Sequence, residues 1–130
     1  MRSVRSRDTG PELAVRRYFH RAGLRYRLHD RRLPGTPDVI FPSRRIAVLV
    51  HGCFWHQHSG CAAAARPKTS RGYWDKKLDG NMARDARQTA ALEAMGWTCL
   101  VVWECETTSQ TVLNALVSKI RSTKPRIRHH

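Results

Sequence analysis

The sequence predicts a single α/β domain in which a mixed β-sheet is flanked by helices. Three observations support this fold class. The chain has 130 residues, enough to bury one hydrophobic core. Short apolar runs typical of strands alternate with longer amphipathic stretches typical of helices, in the order α-β-β-β-α-β-α. No repeat or domain linker interrupts this order, so residues 1–130 are expected to form one domain.

The first helix is predicted to follow a basic arm, residues 1–8. The stretch Thr9-Gly10-Pro11-Glu12 is typical of a capping box, with Thr9 as the N-cap and Glu12 reaching back to the free backbone N–H. Gly23 is the predicted C-cap, and the arginines of the helix are expected to face outward. The predicted apolar stripe comprises Leu13, Ala14, Tyr18, Phe19 and Ala22.

Three strands are predicted next. Residues 24–28 alternate with period two, which indicates a half-buried strand. Residues 38–41 and 46–50 are apolar runs joined by Pro42-Ser43-Arg44-Arg45. This pair predicts a hairpin at the centre of the sheet.

The second half of the chain predicts a long loop, a helix, a strand and a closing helix. Residues 51–72 have no clear period, and irregular loops of this length are usually functional. Residues 73–95 predict a helix that can break at Gly80 and has Gly96 as its C-cap. Residues 98–103 predict a buried strand, and residues 112–120 predict an amphipathic helix before a basic tail, residues 124–130. The predicted apolar side of the long helix comprises Trp74, Leu78, Met82, Ala86 and Leu92.

The charge of the chain indicates a polyanionic partner. It has 24 Lys and Arg residues against 10 Asp and Glu, a formal net charge of +14. Such an excess suits phosphate neutralisation with counterion release, although a merely solvated basic surface is the alternative. No segment has the length of a membrane span or the pattern of a signal peptide, so we expect a cytoplasmic, nucleoid-associated protein without a membrane partner.

A metal site is predicted in the long loop. Cys53, His58 and Cys61 follow Cys-x4-His-x2-Cys spacing, which suits a structural Zn²⁺. Cys99 and Cys105 are the candidates for the fourth ligand, and about 20 Å of extended strand prevents both from binding one ion. We select Cys105 because it lies at the exit of the strand, whereas Cys99 suits the core. Unligated thiols with incidental histidines are the alternative.

A set of short motifs extends from about residue 1 to residue 106. The motifs are Asp8-Thr9, Glu12, Leu33-Pro34-Gly35-x-Pro37-Asp38, His51-Gly52-Cys53-Phe54-Trp55-His56, Trp74, Asn81-x-x-Arg84-Asp85, Gly96-Trp97 and Trp103-Glu104-Cys105. This set resembles the very short patch repair (Vsr) endonucleases, a group within the PD-(D/E)XK nucleases. The resemblance implies a restriction-endonuclease-like fold and an endodeoxyribonuclease that depends on Mg²⁺.

The resemblance also implies roles for individual residues. Asp38 would bind the catalytic Mg²⁺ together with the backbone carbonyl of Val50. His56 would act as the general base for the attacking water, and His51 would assist at the phosphate. The acids that orient these groups would be Glu12 and Asp85. These residue types suit phosphodiester hydrolysis, which needs charge neutralisation and a base with a near-neutral pKa.

Structural explanations remain open for each of these residues. Glu12 could be only a capping residue, Asp38 a turn residue and Asp85 an ordinary acid on a helix surface. His51 and His56 could be zinc ligands, since five candidate ligands share one loop. The hairpin also lacks the acid-x-lysine pair of most PD-(D/E)XK enzymes, as the Vsr group does, which leaves cation binding largely to Asp38.

The same resemblance implies how the DNA is read. Phe54, Trp55 and Trp74 would form a wedge beside a mismatched base pair, where unstacking is least costly. Lys77 and Asn81 would contact the T:G pair through their N–H donors. The resemblance also implies an N-terminal segment that crosses the opposite groove, and we expect the corresponding arm here, residues 1–8, to form a shortened version of it.

We therefore expect a monomeric endonuclease that nicks double-stranded DNA 5′ to the thymine of a T:G mismatch left by deamination of 5-methylcytosine, with mismatch-repair proteins as candidate partners. One rival is a non-catalytic, zinc-stabilised DNA-binding module. Another is a nuclease whose cleaving metal lies within the Cys/His loop.

Overall fold

The computed structural model describes residues 9–125, so the arm at residues 1–8 and the tail beyond Pro125 lie outside it. Within this range the elements follow the predicted order. The helices are α1 (Gly10–Arg21), α2 (Arg71–Ala94) and α3 (Gln110–Ser122). The strands are β1 (Arg27–Leu28), β2 (Val39–Phe41), β3 (Ile46–His51) and β4 (Thr98–Trp103). None of these helices has the length and apolarity to span a membrane.

The four strands form one mixed sheet in the order β1-β2-β3-β4. β1, β2 and β3 pair antiparallel, which confirms the predicted hairpin, whereas β3 and β4 pair parallel. α2 makes the crossover that a parallel pair requires. The α/β fold class with a mixed sheet and flanking helices is confirmed.

The helices cover the two faces of the sheet unequally. α1 and α3 pack on one face around Phe19, Phe41 and Ile120, and the smaller cluster on the other face includes Leu92 of α2 and Ala47 of β3. α1 and β2 are joined by edge-to-face aromatic contacts, with the rings of Phe19 and Phe41 5.6 Å apart. The sheet is therefore a rigid platform whose strand ends can hold a site.

Several details of the predicted helices are wrong. In α1 the N-cap hydrogen bond from the backbone N–H of Glu12 to Thr9 is present, but the C-cap is Ala22, one residue before Gly23. The buried face of α1 includes Val15 and Arg16, so not every arginine faces outward. Helical spacing alone permits burial of the residues on either side of the predicted stripe. The packing of α1 on β2 and β3 determines that Val15 and Arg16 are the ones that are buried.

The long helix also differs from its prediction. α2 starts at Arg71 and runs unbroken through Gly80. Of its predicted apolar side, only Leu78 and Leu92 are fully buried, and Met82 is 45% exposed. A helix of 24 residues is about 36 Å long, whereas the six-residue strand beside it spans about 20 Å, so α2 extends beyond the sheet.

The predicted first strand is shorter than expected. β1 has only two residues, Arg27 and Leu28, both exposed at the edge of the sheet. Leu24 and Tyr26, assigned to that strand from their alternation, pack against the core from irregular backbone. A short, charged edge strand limits pairing with other chains.

Candidate active site and metal centre

The site lies where the parallel strands β3 and β4 end. Their register places His51 beside Trp103 and Val50 beside Val102. The long loop leaves from His51, and a 3-10 turn containing Cys105 follows Trp103. Side chains far apart in the sequence therefore meet at one edge of the sheet.

The four predicted zinc ligands meet at this edge. The candidate ligand atoms of Cys53, His58, Cys61 and Cys105 all lie within 4.8 Å of one another. The Nδ1 atom of His58 is 3.7 Å from Sγ of Cys53 and 3.5 Å from Sγ of Cys105. Three thiols and one imidazole, arranged so closely, match the donor set of a tetrahedral structural zinc site.

Electrostatics and packing support the same grouping. Desolvation, followed by the neighbouring thiols of Cys53 and Cys61, raises the pKa of the Cys105 thiol to about 11. A bound cation would relieve the repulsion between the corresponding thiolates. Cys99, the alternative ligand, instead packs against the smaller core cluster. The cluster is therefore a candidate metal-binding centre that ties the loop to the end of β4.

A second group contains His51, His56 and Asp85. The two imidazole rings are stacked, with centroids 4.0 Å apart and planes inclined by 4°. Nδ1 of His56 lies 2.6 Å from a carboxylate oxygen of Asp85, on α2. Burial, followed by electrostatic interaction with His56, lowers the pKa of His51 to about 4, so His51 is neutral at neutral pH. An imidazole oriented by a carboxylate is the usual form of a histidine base.

The third group surrounds Asp38, immediately before β2. An oxygen of Asp38 accepts a hydrogen bond of 2.8 Å from the backbone N–H of Val50, and candidate ligand atoms of Glu12 and His29 lie within 4.8 Å of each other and of Asp38. Burial raises the pKa of Asp38 to about 7, with further contributions from Glu12. Two carboxylates and an imidazole that are so close suit a divalent cation.

A group of aromatic side chains borders the loop and the start of α2. The rings of Phe54 and Trp55 lie 5.5 Å and 6.0 Å from the ring of Trp74, respectively. Trp55 is 37% exposed, although large aromatic side chains are more often buried. A surface cluster of this kind suits stacking against another planar group.

Comparison with known proteins identifies the family. Residues 1–62 match the family model described as DNA mismatch endonuclease Vsr. The chain is 51% identical over 122 residues to a type II nicking enzyme, V.XorIIP, of Xanthomonas oryzae. The aligned residues cover 94% of this chain and 87% of that protein. The chain belongs to the Vsr DNA mismatch endonuclease family. It is therefore an endodeoxyribonuclease, as predicted.

Two further Vsr-family relatives agree with this assignment. The chain is 38% identical over 105 residues to the DNA mismatch endonuclease Vsr of Escherichia coli, covering 81% of this chain and 67% of that enzyme. It is 37% identical over 125 residues to a type II nicking enzyme, V.NmeAIP, of Neisseria meningitidis, covering 93% and 89% of the two chains.

In this Vsr-family chain the predicted catalytic residues lie in two groups. Asp38 and Glu12 belong to one, and His51, His56 and Asp85 belong to the other. The candidate ligand atoms of the two histidines thus group with that of Asp85, on α2, and not with that of Asp38.

Three residues that were not predicted from the sequence, Arg16, His29 and Tyr73, extend these groups. Arg16 is buried beside Glu12, with 3.4 Å between guanidinium and carboxylate, and its Nη2 atom lies 3.2 Å from Nε2 of His29. Arg16 could have been found, since it lies four residues after Glu12 on the same helix face. His29 has no such local signal. Tyr73, 62% exposed and adjacent to Trp74, extends the aromatic group.

A hydrogen-bond network joins the loop to α2. Arg66 donates to Gln57 at 2.8 Å, to Asp75 at 2.8 Å and to Asp79 at 2.7 Å. Gln57 in turn donates to the backbone carbonyl of Phe54 at 2.8 Å. Closer to the aromatic group, the amide of Asn81 donates to the carbonyl of Trp55 at 3.1 Å. The backbone that carries the aromatic side chains is thus anchored to α2 at two points.

Proposed function

We propose that this endonuclease nicks one strand of double-stranded DNA 5′ to the thymine of a T:G mismatch of the kind left by deamination of 5-methylcytosine, and that it depends on Mg²⁺. The observation that carries the proposal is the hydrogen-bonded pair of His56 and Asp85. His56 follows the exposed Trp55 in the loop after β3, and Val50, near the end of β3, is hydrogen-bonded to Asp38. The mismatch specificity is supported by the name of the Escherichia coli relative, a DNA mismatch endonuclease.

The chemical roles follow from the donor groups. His56 is the general base, because Asp85 accepts a hydrogen bond from its Nδ1–H and leaves Nε2 free to take a proton from water. His51, neutral and stacked on His56, orients that ring and donates toward the phosphate. Such a base contributes roughly 10²- to 10⁴-fold to the rate.

Asp38 and the backbone carbonyl of Val50 would hold the Mg²⁺. Both are hard oxygen ligands, and Glu12 lies close enough to orient Asp38 or to bind water of the cation. When bound, Mg²⁺ supplies charge neutralisation for the scissile phosphate. Zn²⁺ would instead be bound by Cys53, His58, Cys61 and Cys105, because thiolates are softer donors than carboxylate and carbonyl oxygens.

The aromatic group, in which Trp55 is exposed and Phe54 and Trp74 are half-buried, would enter the base stack at the mismatch. Phe54, Trp55 and Trp74 present adjacent planar surfaces, and a mismatched pair costs less to unstack than a matched one. Lys77 and Asn81, one helical turn apart on α2 after Trp74, offer N–H donors for the carbonyl oxygens of the T:G pair.

The test compares nicking of otherwise identical T:G and C:G duplexes by wild-type protein, Asp38→Ala and a control, Glu93→Ala, whose side chain is exposed on α2. We expect nicking only of the T:G duplex, in Mg²⁺, by the wild-type protein and the control. Zinc content, measured by mass spectrometry without a histidine tag, should be one per chain in all three.

Other outcomes separate the rival functions. Equal nicking of both duplexes would contradict the mismatch specificity. Binding without cleavage in any divalent cation would indicate a DNA-binding module. Cleavage that survives Asp38→Ala but stops when zinc is chelated would place the cleaving metal in the Cys/His cluster.

A further inference from the structure

Trp103 lies between the candidate metal centre and the histidine pair and has no role in the chemistry described above. Its ring is stacked on the imidazole of His58, with centroids 4.2 Å apart and planes inclined by 9°. The edge-to-face contact with His51 has a centroid separation of 5.2 Å and an interplanar angle of 74°. One side chain therefore touches a candidate ligand of the metal and a member of the histidine pair.

These contacts continue as an uninterrupted series of rings. His51 is stacked on His56 at 4.0 Å, and His56 is hydrogen-bonded to Asp85 at 2.6 Å. The series runs from the Cys/His cluster to α2 through four rings in van der Waals contact. Because packed side chains have few alternative arrangements, the position of each ring limits that of the next.

The backbone fixes Trp103 in this place. The parallel register of β3 and β4 sets Trp103 directly beside His51. Its backbone N–H donates at 3.0 Å to the carboxylate of Glu106, which holds the 3-10 turn that follows. Cys105 lies two residues further on, and its thiol is 3.5 Å from Nδ1 of His58. The same strand exit thus supplies both a candidate metal ligand and the ring that contacts the histidines.

We propose that Trp103 is a positioning residue that couples the Cys/His metal centre to the histidine pair, so that the geometry of the centre sets the orientation of His51 and His56 at the scissile phosphate. This inference rests on the proposed function, because it assigns the histidine pair to catalysis. It predicts that Trp103 affects the chemical step and not DNA binding, since within residues 9–125 the aromatic rings that contact Trp103 are those of His51 and His58 and not those of the wedge.

The experiment compares Trp103→Leu and Trp103→Phe with wild-type protein and with Trp97→Phe, a control that alters a buried tryptophan in the smaller core cluster. For each protein, kcat and KM are measured on the T:G duplex and bound zinc is measured by mass spectrometry. NMR cross-relaxation between the ring protons of residue 103 and those of His51 and His58 is recorded without DNA.

We expect Trp103→Leu to lower kcat by roughly 10- to 100-fold, because small misplacements of catalytic groups cost about that much. KM should stay within about twofold and zinc near one per chain. Trp103→Phe, which keeps an aromatic ring, should retain both ring contacts and most of kcat, and Trp97→Phe should leave kcat unchanged.

Unchanged kcat in zinc-loaded Trp103→Leu would overturn the proposal. So would a fall in kcat that parallels loss of zinc across the variants, because Trp103 would then only support the metal centre. If Trp103→Leu does not fold, Trp103→Phe decides: both ring contacts with near-normal kcat support the coupling, and normal kcat without either contact refutes it. A wild-type protein that does not nick the duplex contradicts the proposed function, whereas the NMR contacts test the ring series separately.

Discussion

Asp38 shows how one buried carboxylate is prepared for a cation. It receives a hydrogen bond from the backbone N–H of Val50, which stabilises the charged form, yet burial and the nearby Glu12 raise its pKa to about 7. The charged form therefore costs free energy in the metal-free protein. A divalent cation that binds here would remove that cost, which couples metal binding to deprotonation.

The raised pKa of Asp38 predicts a pH-dependent stability. Between its ordinary pKa of 3.8 and about 7, the folded protein binds more protons at this site than the unfolded protein does, so Asp38 lowers stability progressively as pH rises through that range. In zinc-loaded protein without magnesium, Asp38→Asn should therefore have a higher Tm than wild type at pH 8 and nearly the same Tm at pH 4. Thermal unfolding followed by circular dichroism measures the difference.

Asp30→Asn is the contrasting variant. The hydrogen bonds from Arg32 lower the pKa of Asp30 to about 2, so its contribution to stability is present above pH 3.8 and is lost as pH falls toward 2. This substitution should not raise Tm at pH 8. An equal Tm for Asp38→Asn and wild type across the whole range would contradict the assigned pKa of Asp38.

At the level of elements, contacts with β4 and α2 hold the long loop in place. Its first part is tied to the end of β4 by the Cys/His cluster, and Arg66 ties its later part to α2 through Asp75 and Asp79. Gln57, in left-handed backbone with φ of 53°, connects Arg66 to the carbonyl of Phe54. The loop is ordered by these contacts rather than by regular secondary structure.

Arg66→Ala should loosen the loop with little effect on the whole domain. Partly exposed ion pairs contribute only about 0–1 kcal/mol, so Tm should change by no more than a few degrees. Amide exchange in residues 54–66 should accelerate by roughly threefold or more, since the network lies there. Hydrogen exchange with mass spectrometry measures this, and Lys68→Ala, a nearby exposed lysine, serves as the control. Equal exchange in both variants would show that Arg66 does not order the loop.

At the level of the whole molecule, the hydrophobic core and the candidate site occupy different parts of the fold. α1 and α3 bury one face of the sheet, α2 covers part of the other, and the candidate site lies at the ends of β3 and β4. The positive charge is far larger than solubility requires, with 24 basic residues against 10 acidic ones. Association with DNA should therefore depend strongly on salt.

Deletion of residues 1–7 tests the contribution of the N-terminal arm to this charge. The deletion removes three arginines, Arg2, Arg5 and Arg7. If they contact phosphates, affinity for mismatched duplex should fall and the slope of log K against log salt should decrease by up to about 3. Titrations at several salt concentrations measure both quantities. Unchanged affinity and slope would argue against any role of the arm.

The sequence by itself determined what depends on local pattern. The N-cap at Thr9, the hairpin of β2 and β3, the element order and the spacing of Cys53, His58 and Cys61 follow from neighbouring residues, whose propensities act over short distances. The family resemblance, now confirmed, added expected roles for Asp38 and His56. Those roles remain proposals.

Only the tertiary structure decided what depends on register and on contacts between distant segments. The pairing of β3 with β4 placed Trp103 beside His51 and brought Cys105 to His58, and no local pattern specifies a parallel register. Packing likewise turned Arg16 inward toward Glu12 and brought His29 to the same group. Such contacts depend on the free energy of burial and strand pairing over the whole chain. This free energy cannot be deduced from the periodicity of short segments.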